Sequence, residues 1–520
     1  MAALITFNFC TERKGMVVHT FVDPMYHAQK MFPNKVSMVC GDTRLTYAET
    51  WSRCRRLAGA LADLGVQSGD RVAILAANSH QYLEAYMAVP AAGFIVVPLN
   101  TRHAEPELRY ALEDAGTRVL ITDRDPGALA DTVERVIRIP DEYETLLSTA
   151  PEAELGVGIT EDTTAGLFYT GGTTGASKGV MLSHRNLIAN SINWLIATQQ
   201  GPDDAYLVVA PLFHAAGSLA VLATVWIGGC QIIQPAFDAA EALDLIEAEN
   251  ATVTLGVPTM IAAMTEEQLV QPRQVDGLRF LAHGGSPIAT EVVRRAHQAF
   301  PNAELVHAYG ATETAPLATA LRREQEVIDS ELGRSCGQAV AGVDVRIFDQ
   351  AGHELTPGEV GEVVVRGANV MQGYWNKPEQ TAEVLRDGWY YTGDLGYMHE
   401  QGYIFLVDRA KDMIVSGGEN VYSTEVEEVL YQHPAVLEAA VFGVPDDRWG
   451  EAVHAVVVPR PEQEVDAETL VAYCREYIAG YKVPKSIDFQ TDPLPKSGPG
   501  KILKRELRAP YWEGHEAQIH

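Results

Sequence analysis

A short polar segment between two apolar flanks carries the residues best suited to hold phosphate. The segment at residues 168–184 reads FYTGGTTGASKGVMLSH. Its glycines let backbone N–H groups approach a ligand closely, its hydroxyls add donors, and Lys178 adds a positive charge. The order differs from the Walker pattern G-x-x-x-x-G-K-[ST], because Ser177 precedes Lys178 and Gly179 follows it. The segment therefore predicts a polyphosphate-binding loop of another kind, with a flexible surface loop as the alternative.

The segment HAYGATET, residues 307–314, combines an aromatic ring with a carboxylate. Tyr309 offers a flat face for a nucleotide base, and Gly310 allows close approach. Glu313 is a hard oxygen ligand of the kind that Mg²⁺ takes together with phosphates. The alternative for Glu313 is an exposed glutamate at a helix start, since A-T-E-T is also a plausible capping sequence. The segment therefore predicts a base-binding ring beside a candidate metal ligand.

Two further charged residues follow short strand patterns. Asp394 lies in TGDLG, which predicts a tight turn after an aromatic strand. Its carboxylate can accept hydrogen bonds from both ribose hydroxyls, as acidic residues do in other nucleotide sites. Arg409 follows the strand pattern YIFLVD and could reach the same ribose or a phosphate. An ordinary turn aspartate is the alternative at Asp394.

Lys501 stands at the end of the glycine-bearing segment SGPGK, residues 497–501. The glycines predict a mobile arm that ends in a cation. A cation on such an arm can stabilise negative charge that develops on a ligand during a reaction. The alternative is a solvated lysine near the C-terminus.

Strands that alternate with helices must position these residues. The apolar pattern predicts a strand at 71–76, a helix at 80–93 that Gly93 ends, a strand at 94–100, and further helix–strand units at 240–258 and 291–310. Residues 180–195, VMLSHRNLIANSINWL, are predicted as a helix. Strand–helix–strand alternation indicates a parallel sheet with crossover helices.

The pattern changes after about residue 335. Short, glycine-punctuated, alternating segments there predict antiparallel strands and turns. A charged stretch at 408–427, DRAKDMIVSGGENVYSTEVE, then leads into a small α+β unit. We therefore predict an N-terminal domain at 1–408, a hinge at 409–412 and a C-terminal domain at 413–520.

The composition bounds the class of protein. A chain of 520 residues is too long for one compact core, so at least two domains are expected. A net charge of -29 argues against general affinity for DNA, RNA or anionic lipid. Six cysteines without a C-x-x-C pair suit reduced thiols in a cytoplasmic protein.

One stretch is long enough to span a bilayer. Residues 205–237 contain no Asp, Glu, Lys or Arg. Prolines, glycines and glutamines interrupt the stretch, so it is predicted as a buried strand, helix and strand, and no membrane span is expected.

Five segments resemble, in order, the motifs of the adenylate-forming (ANL) superfamily, which includes acyl-CoA synthetases, adenylation domains and luciferases. TGGTTGASKG at 170–179 resembles T-S-G-T-T-G-x-P-K-G, with Gly171 in place of serine and Ser177 in place of proline. The others are HAYGATET, WYYTGDLG at 389–396, the stretch at 408–427 and PKSGPGKILKREL at 495–507.

The resemblance implies an α/β fold. Its large N-terminal domain would hold doubly wound, mostly parallel sheets and an antiparallel β-barrel subdomain, and a small mobile α+β domain would follow. It also implies an ATP-dependent acid–thiol ligase that activates a fatty or aromatic acid as acyl-AMP, releases pyrophosphate and transfers the acyl group to coenzyme A. Mg²⁺ is the implied metal, and a homodimer is left open. Two alternatives remain: an enzyme that loads a carrier-protein phosphopantetheine, and an inactive adenylation fold that only binds.

The resemblance also assigns roles to residues. The implied catalytic residues are Lys501, Glu313, Thr174 and Lys178, with Thr174 and Glu313 on the metal. ATP and CoA would contact Thr170, Gly171, Gly172, Thr173, Thr174, Gly175, Lys178, Gly285, Ser286, Pro287, His307, Ala308, Tyr309, Gly310, Thr312, Asp394, Arg409, Lys411, Gly417, Gly418 and Lys501. Lys411 would be the pivot of the hinge, and Gly417 and Gly418 would line the pantetheine tunnel.

An acyl pocket is implied at PLFHAAGS, residues 211–218, and at the segments that face it. Its lining would be Phe213, His214, Gly217, Ser218, Gly284, Gly285 and Ala311. No Asp or Lys is evident there, which favours a fatty or arylalkanoic acid over an amino acid, because an unpaired buried charge is costly. His214 either gates this pocket or is an ordinary core histidine.

Overall fold

The computed structural model describes residues 19–170, 177–286, 288, 290–409, 412–416, 419–446, 448–461, 463, 465–496 and 502–513. The strands in these ranges are β1 (Val36–Cys40), β2 (Thr43–Thr46), β3 (Arg71–Leu75), β4 (Ile95–Pro98), β5 (Thr117–Thr122), β6 (Arg135–Arg138), β7 (Thr164–Thr170), β8 (Lys178–Ser183), β9 (Ala205–Val208), β10 (Cys230–Ile233), β11 (Val253–Gly256), β12 (Phe280–Gly284), β13 (Glu304–Tyr309), β14 (Thr319–Arg322), β15 (Gln338–Ala339), β16 (Val343–Phe348), β17 (Gly361–Gly367), β18 (Gly373–Tyr374), β19 (Leu385–Arg386), β20 (Trp389–Met398), β21 (Ile404–Arg409), β22 (Ile414–Ser416), β23 (Glu419–Val421), β24 (Val436–Asp446), β25 (Gly450–Pro459) and β26 (Ser486–Phe489).

The helices in the same ranges are α1 (Val22–Met31), α2 (Tyr47–Asp63), α3 (His80–Ala91), α4 (Glu105–Ala115), α5 (Asp141–Thr149), α6 (His184–Thr198), α7 (Ala215–Ser218), α8 (Val221–Trp226), α9 (Ala239–Glu249), α10 (Pro258–Val270), α11 (Thr290–Ala299), α12 (Glu324–Val327), α13 (Pro378–Val384), α14 (Ser423–Gln432), α15 (Ala467–Tyr477) and α16 (Lys504–Trp512). Short 3₁₀ turns lie at Gly127–Thr132, Thr312–Thr314 and Glu331–Arg334.

Two mostly parallel sheets form the body of the N-terminal part. The first has the order β15-β14-β13-β12-β11-β9-β10-β1-β2, and its strands from β13 to β1 run parallel. The second has the order β18-β8-β7-β4-β3-β5-β6, parallel from β7 to β6. This arrangement confirms the predicted parallel sheets with crossover helices, and the strands at 71–76 and 94–100 are β3 and β4.

The main core lies between these two sheets. It contains inward-facing residues of both, such as Val72, Val96, Val208 and Ala282, together with α3. The outer face of the first sheet packs on α9, α10 and α11, and the outer face of the second packs on α4. Both sheets are therefore covered on both faces, which is why their strands read as nearly continuous apolar runs.

An antiparallel sheet follows, as the alternating pattern after residue 335 predicts. Its order is β16-β17-β20-β19, and β21 pairs with β20. Ser423, the first residue of α14, donates its backbone N–H to the Asp408 carboxylate in β21 at 2.5 Å. This contact joins the antiparallel sheet to the C-terminal part of the chain.

The C-terminal part has its own sheet and core. The sheet has the order β23-β22-β25-β24, with β26 parallel to β25. Apolar residues of α14 and α15, including Val426, Leu430 and Leu470, pack against it. A small α+β unit is therefore present, as predicted, whereas the domain limits at 409–412 remain a prediction.

Two local predictions were wrong. Val180 to Ser183 belong to β8, not to a helix, and α6 begins only at His184. Ser183 ends the strand and caps the helix, because its hydroxyl accepts from the Asn186 backbone N–H. Asp394 lies inside β20 rather than in a turn after it, since β17 and β21 pair with β20 on either side.

The apolar stretch at 205–237 forms β9, α7, α8 and β10, a buried strand–helix–strand unit as predicted. Among the described residues, no helix has the length and apolar character needed to cross a membrane.

Candidate active site

The ends of the predicted phosphate loop are held side by side. Thr170 is the last residue of β7, Lys178 is the first of β8, and the two are register partners across this antiparallel pair. The ammonium of Lys178 lies 4.8 Å from the centre of the Tyr374 ring. Loop residues Gly171, Gly172, Thr173, Thr174 and Gly175 lie outside the described residues.

Glu313 lies in the 3₁₀ turn Thr312–Thr314, directly after β13. Its Oε1 accepts a hydrogen bond from the Tyr374 hydroxyl at 2.8 Å. Burial and the neighbouring Glu313 carboxylate raise the pKa of Tyr374, so its hydroxyl stays protonated and can only donate to an ionised glutamate. Glu313, Tyr374 and Lys178 therefore form one cluster.

The end of β13 reaches the antiparallel sheet. The Tyr309 hydroxyl donates to Oδ2 of Asp394 at 2.8 Å. Burial raises the pKa of Tyr309, with the negative charge of Asp394 adding to the effect. Asp394 is in turn the register partner of Arg409 across β20 and β21. The two residues with predicted ribose roles are thus adjacent in the sheet, beside the predicted base-binding ring.

The backbone at the ends of β12 and β13 is tightly packed. A Cβ on Gly284 would lie 2.2 Å from the Ala308 carbonyl oxygen, and one on Gly310 would lie 1.8 Å from that of Pro316. Gly285 has a φ of +83° and open space around it. Only glycine fits at Gly284 and Gly310, which lets the backbone of the two strands pack closely at this end. Beside them, Gly285 is exposed and Ser286 is half-exposed.

The predicted acyl-pocket segment follows β9, two places from β12 in the first sheet. The carboxyl ends of β9, β11, β12 and β13 lie at one sheet edge because these strands are parallel. His214 precedes α7, and its ring centre lies 4.5 Å from that of Phe213. A Cβ on Gly217 would lie 2.0 Å from the Pro211 carbonyl oxygen, so this turn also requires glycine.

His214 is a neutral side chain. Burial, with Arg102 and His103 nearby, lowers its pKa to about 4. Its Nε2 atom is buried and makes no hydrogen bond to another described residue. The remaining predicted lining residues have small side chains, with Ser218 buried and Ala311 half-buried.

The other predicted residues divide into two groups. His307 and Ala308 lie in β13, and Thr312 begins the 3₁₀ turn that carries Glu313. Pro287, Lys411, Gly417, Gly418 and Lys501 lie outside the described residues, so their roles remain predictions.

Known proteins match nearly the whole chain. The model of the AMP-binding enzyme family matches residues 25–375, and that of the AMP-binding enzyme C-terminal domain matches residues 425–501. The feruloyl-CoA synthase of an Amycolatopsis species is 43% identical over 92% of this chain and 96% of its own length. The long-chain-fatty-acid–CoA ligase of Bacillus subtilis is 34% identical over 93% of each chain.

A solved structure agrees with these matches. The ATP-bound MatB of Rhodopseudomonas palustris superposes with a TM-score of 0.87 at 32% identity, over 95% of this chain and all of the other. The chain belongs to the AMP-binding enzyme family. It is an enzyme of the AMP-forming acid–thiol ligase class, as the five motifs predict.

One residue of this candidate site was missed by sequence reasoning. Tyr374 bridges Lys178 and Glu313, yet it lies 61 residues beyond Glu313 and belongs to none of the motifs. Its position at the site becomes evident only in the tertiary structure. There β18 pairs with β8 and places Tyr374 opposite Val180, close to the end of the predicted phosphate loop.

Replacing Tyr374 with phenylalanine tests whether this bridge matters. We expect Tyr374→Phe to lower carboxylate-dependent ATP–pyrophosphate exchange about 10- to 100-fold, because a hydrogen bond to a charged group contributes about 1.5–3 kcal/mol. Tyr431→Phe is the matched control, since the Tyr431 hydroxyl donates to the Ala439 carbonyl within the C-terminal unit. Equal exchange rates in the two variants would show that the bridge does not support the site.

Proposed function

We propose that this enzyme joins ATP and a hydrophobic carboxylic acid to give acyl-AMP and pyrophosphate, and then transfers the acyl group to coenzyme A. The carboxylate oxygen attacks the α-phosphorus and pyrophosphate leaves; the thiol sulfur then attacks the acyl carbon and AMP leaves. One observation carries the proposal: the segment from Tyr309 to Glu313 contacts both Asp394 and the Tyr374–Lys178 pair. The carboxylate proposed to hold the ribose, Asp394, and the cation proposed to hold the phosphates, Lys178, thus lie at the two ends of one short segment.

The polar residues have separate roles in the proposal. Lys178 and the threonine loop hold the β- and γ-phosphates, and Asp394 and Arg409 hold the ribose. Glu313 would hold Mg²⁺, which would offset the charge of the polyphosphate; a carboxylate next to a lysine proposed to bind phosphate is a donor of the hard type that this ion takes. Lys501 stabilises the charge that develops on the α-phosphate in the first step.

The small C-terminal domain would change position between the two steps. A lysine needed at the α-phosphate in the first step obstructs the path of the thiol in the second, and rotation about a hinge resolves this conflict. Lys411 is the proposed pivot, and Gly417 and Gly418 would line the route of the pantetheine arm.

The proposed acid is fatty or aromatic. Phe213 and a neutral His214 offer an aromatic and uncharged surface, and burial keeps His214 neutral at pH 7. An ammonium group on the acid would have no opposite charge among the proposed lining residues, and an unpaired buried charge is unfavourable. The named relatives include one that acts on ferulate and one that acts on long-chain fatty acids.

Exchange of pyrophosphate into ATP tests the proposal directly. The full-length protein is incubated with Mg²⁺–ATP, labelled pyrophosphate and a panel of hydroxycinnamic, arylalkanoic, short- to long-chain fatty and amino acids. We expect exchange with one or more of the aromatic or fatty acids and none with amino acids. Thioester formation with free CoA, compared with a set of holo-carrier proteins, identifies the acceptor. Absence of exchange across the whole panel would contradict the proposal.

A further inference from the structure

A row of three ionisable side chains, of which His283 and Glu324 are buried and His307 is half-buried, lies behind the proposed base site. Nε2 of His283 is 2.6 Å from Oε2 of Glu324, and the two side chains are only 3% and 2% exposed. The His283 ring stacks on that of His307, with centroids 4.7 Å apart and planes inclined by 20°. None of the motifs in the sequence includes Glu324.

The geometry favours a hydrogen-bonded row over a metal centre. The ligand atoms of all three residues lie within 4.8 Å of one another, which is close enough to consider a shared ion. However, a histidine binds a metal in the plane of its ring, and two nearly parallel stacked rings do not point their nitrogens at one ion. Nε2 of His283 is in addition already engaged by Glu324.

The charge states follow from the surroundings. Burial disfavours the Glu324 carboxylate, but His283 outweighs burial and holds the pKa of Glu324 below its ordinary value. Burial, assisted by His283, lowers the pKa of His307 to about 4. At pH 7, Glu324 is ionised and accepts from the His283 Nε2–H, while His307 is neutral.

The row is fixed to the ends of the strands that carry the proposed base site. His283 and His307 are register partners across β12 and β13, one residue before the close contact between Gly284 and Ala308. Tyr309, two residues after His307, is the last residue of β13. Gly285, two residues after His283, directly follows the end of β12. A tilt of the His283 ring would therefore change the packing of the His307 ring that stacks on it.

We propose that Glu324 is a positioning residue for the nucleotide base, which acts through His283 on His307. The inference rests on the proposed function, since it assumes that ATP binds at the end of β13. A neutral imidazole has one donor and one acceptor nitrogen, and the His307 ring also bonds to the Ser335 backbone, which leaves one nitrogen for the base. Adenine offers an exocyclic amine where guanine has a carbonyl oxygen. A His307 ring held in one orientation would thus favour adenine over guanine.

The test compares ATP and GTP in the full-length enzyme. We expect Glu324→Ala to raise the KM for ATP in the exchange reaction about tenfold and to lower the preference for ATP over GTP by a similar factor, with the KM for the acid unchanged. Glu324→Gln should recover most of the loss, because its amide oxygen can accept the same hydrogen bond. Calorimetric titration with Mg²⁺–ATP and Mg²⁺–GTP should show the same change without any chemistry.

Glu304→Ala is the matched control. Glu304 is the first residue of β13, and Tyr309 is the last residue of the same strand. The Glu304 carboxylate accepts a hydrogen bond from Nε of Arg322 at 2.7 Å. Breaking that ion pair should lower thermal stability without changing base preference. If Glu324→Ala does not fold, His283→Gln takes its place, since it removes the ring that stacks on His307.

Each outcome bears on one proposal. An unchanged ratio of ATP to GTP binding in Glu324→Ala, or the same change in Glu304→Ala, would overturn the role of Glu324. If the wild-type protein showed no exchange but still bound ATP more tightly than GTP, the proposed function would be overturned. The positioning role of Glu324 would then remain intact.

Discussion

Lys501→Ala is expected to lose the first step of the reaction and to keep the second. Removing a group that stabilises developing charge costs about 10²–10³-fold in rate, so ATP–pyrophosphate exchange should fall by that factor. Thioester formation from supplied acyl-AMP and CoA should stay within about threefold of wild type, because the proposed mechanism gives Lys501 no role in thiol attack. The two half-reactions are measured separately with the full-length protein.

Lys485→Ala serves as the control for this prediction. Lys485 is an exposed lysine of the same C-terminal unit, so the substitution makes the same change in net charge. Both half-reactions should be unaffected in this variant. The assignment would be falsified by a Lys501→Ala enzyme that adenylates at the wild-type rate but fails to form the thioester.

Glu313→Gln is expected to impair the use of Mg²⁺. The amide oxygen of glutamine can still accept from the Tyr374 hydroxyl, so the local geometry should persist while the negative charge is lost. We expect the rate of exchange at saturating ATP to fall about 10²-fold and the Mg²⁺ concentration for half-maximal rate to rise about tenfold.

Glu331→Gln is the control for the loss of charge. Glu331 is exposed and is the first residue of a 3₁₀ turn, whereas Glu313 is the second residue of its own. The two substitutions are therefore chemically matched. A Mg²⁺ titration and thermal unfolding are measured for both variants. If Glu313 were only a structural residue of its turn, its variant would lose thermal stability while the Mg²⁺ midpoint stayed at the wild-type value.

Much of the body of the fold was predictable from local sequence. Strands β3 and β4 are buried on both faces, and such strands read as continuous apolar runs bounded by polar or glycine residues. Helix α3, which the pattern predicts at 80–93, ends at Ala91 because Gly93 takes a left-handed conformation with φ of +85°. Continuous apolar runs and helix-ending glycines are both signals that can be read from a few neighbouring residues.

The two errors share one physical cause. Val180–Leu182 are apolar residues that suit a strand or a helix equally, and the pairing of β8 with β7 and β18 decided for the strand. Gly393, with a φ of +73°, makes an irregularity in β20 next to Asp394, but pairing of β20 with strands on both sides keeps both residues within the strand. In each case hydrogen bonds to distant strands outweighed a local preference.

The residue types at the site were determined by the sequence itself, because phosphate, ribose and metal each call for a limited set of side chains. The threonine–glycine loop with Lys178, the Tyr309–Glu313 segment, Asp394 and Lys501 follow from that chemistry and from motif order. The tertiary structure alone decided which of them meet. Tyr374 reaches Glu313 across 61 residues, and Glu324 reaches His283 across 41. Such contacts depend on strand order and register, since a shift of one residue would turn Tyr374 in β18 or His283 in β12 to the opposite face of its sheet.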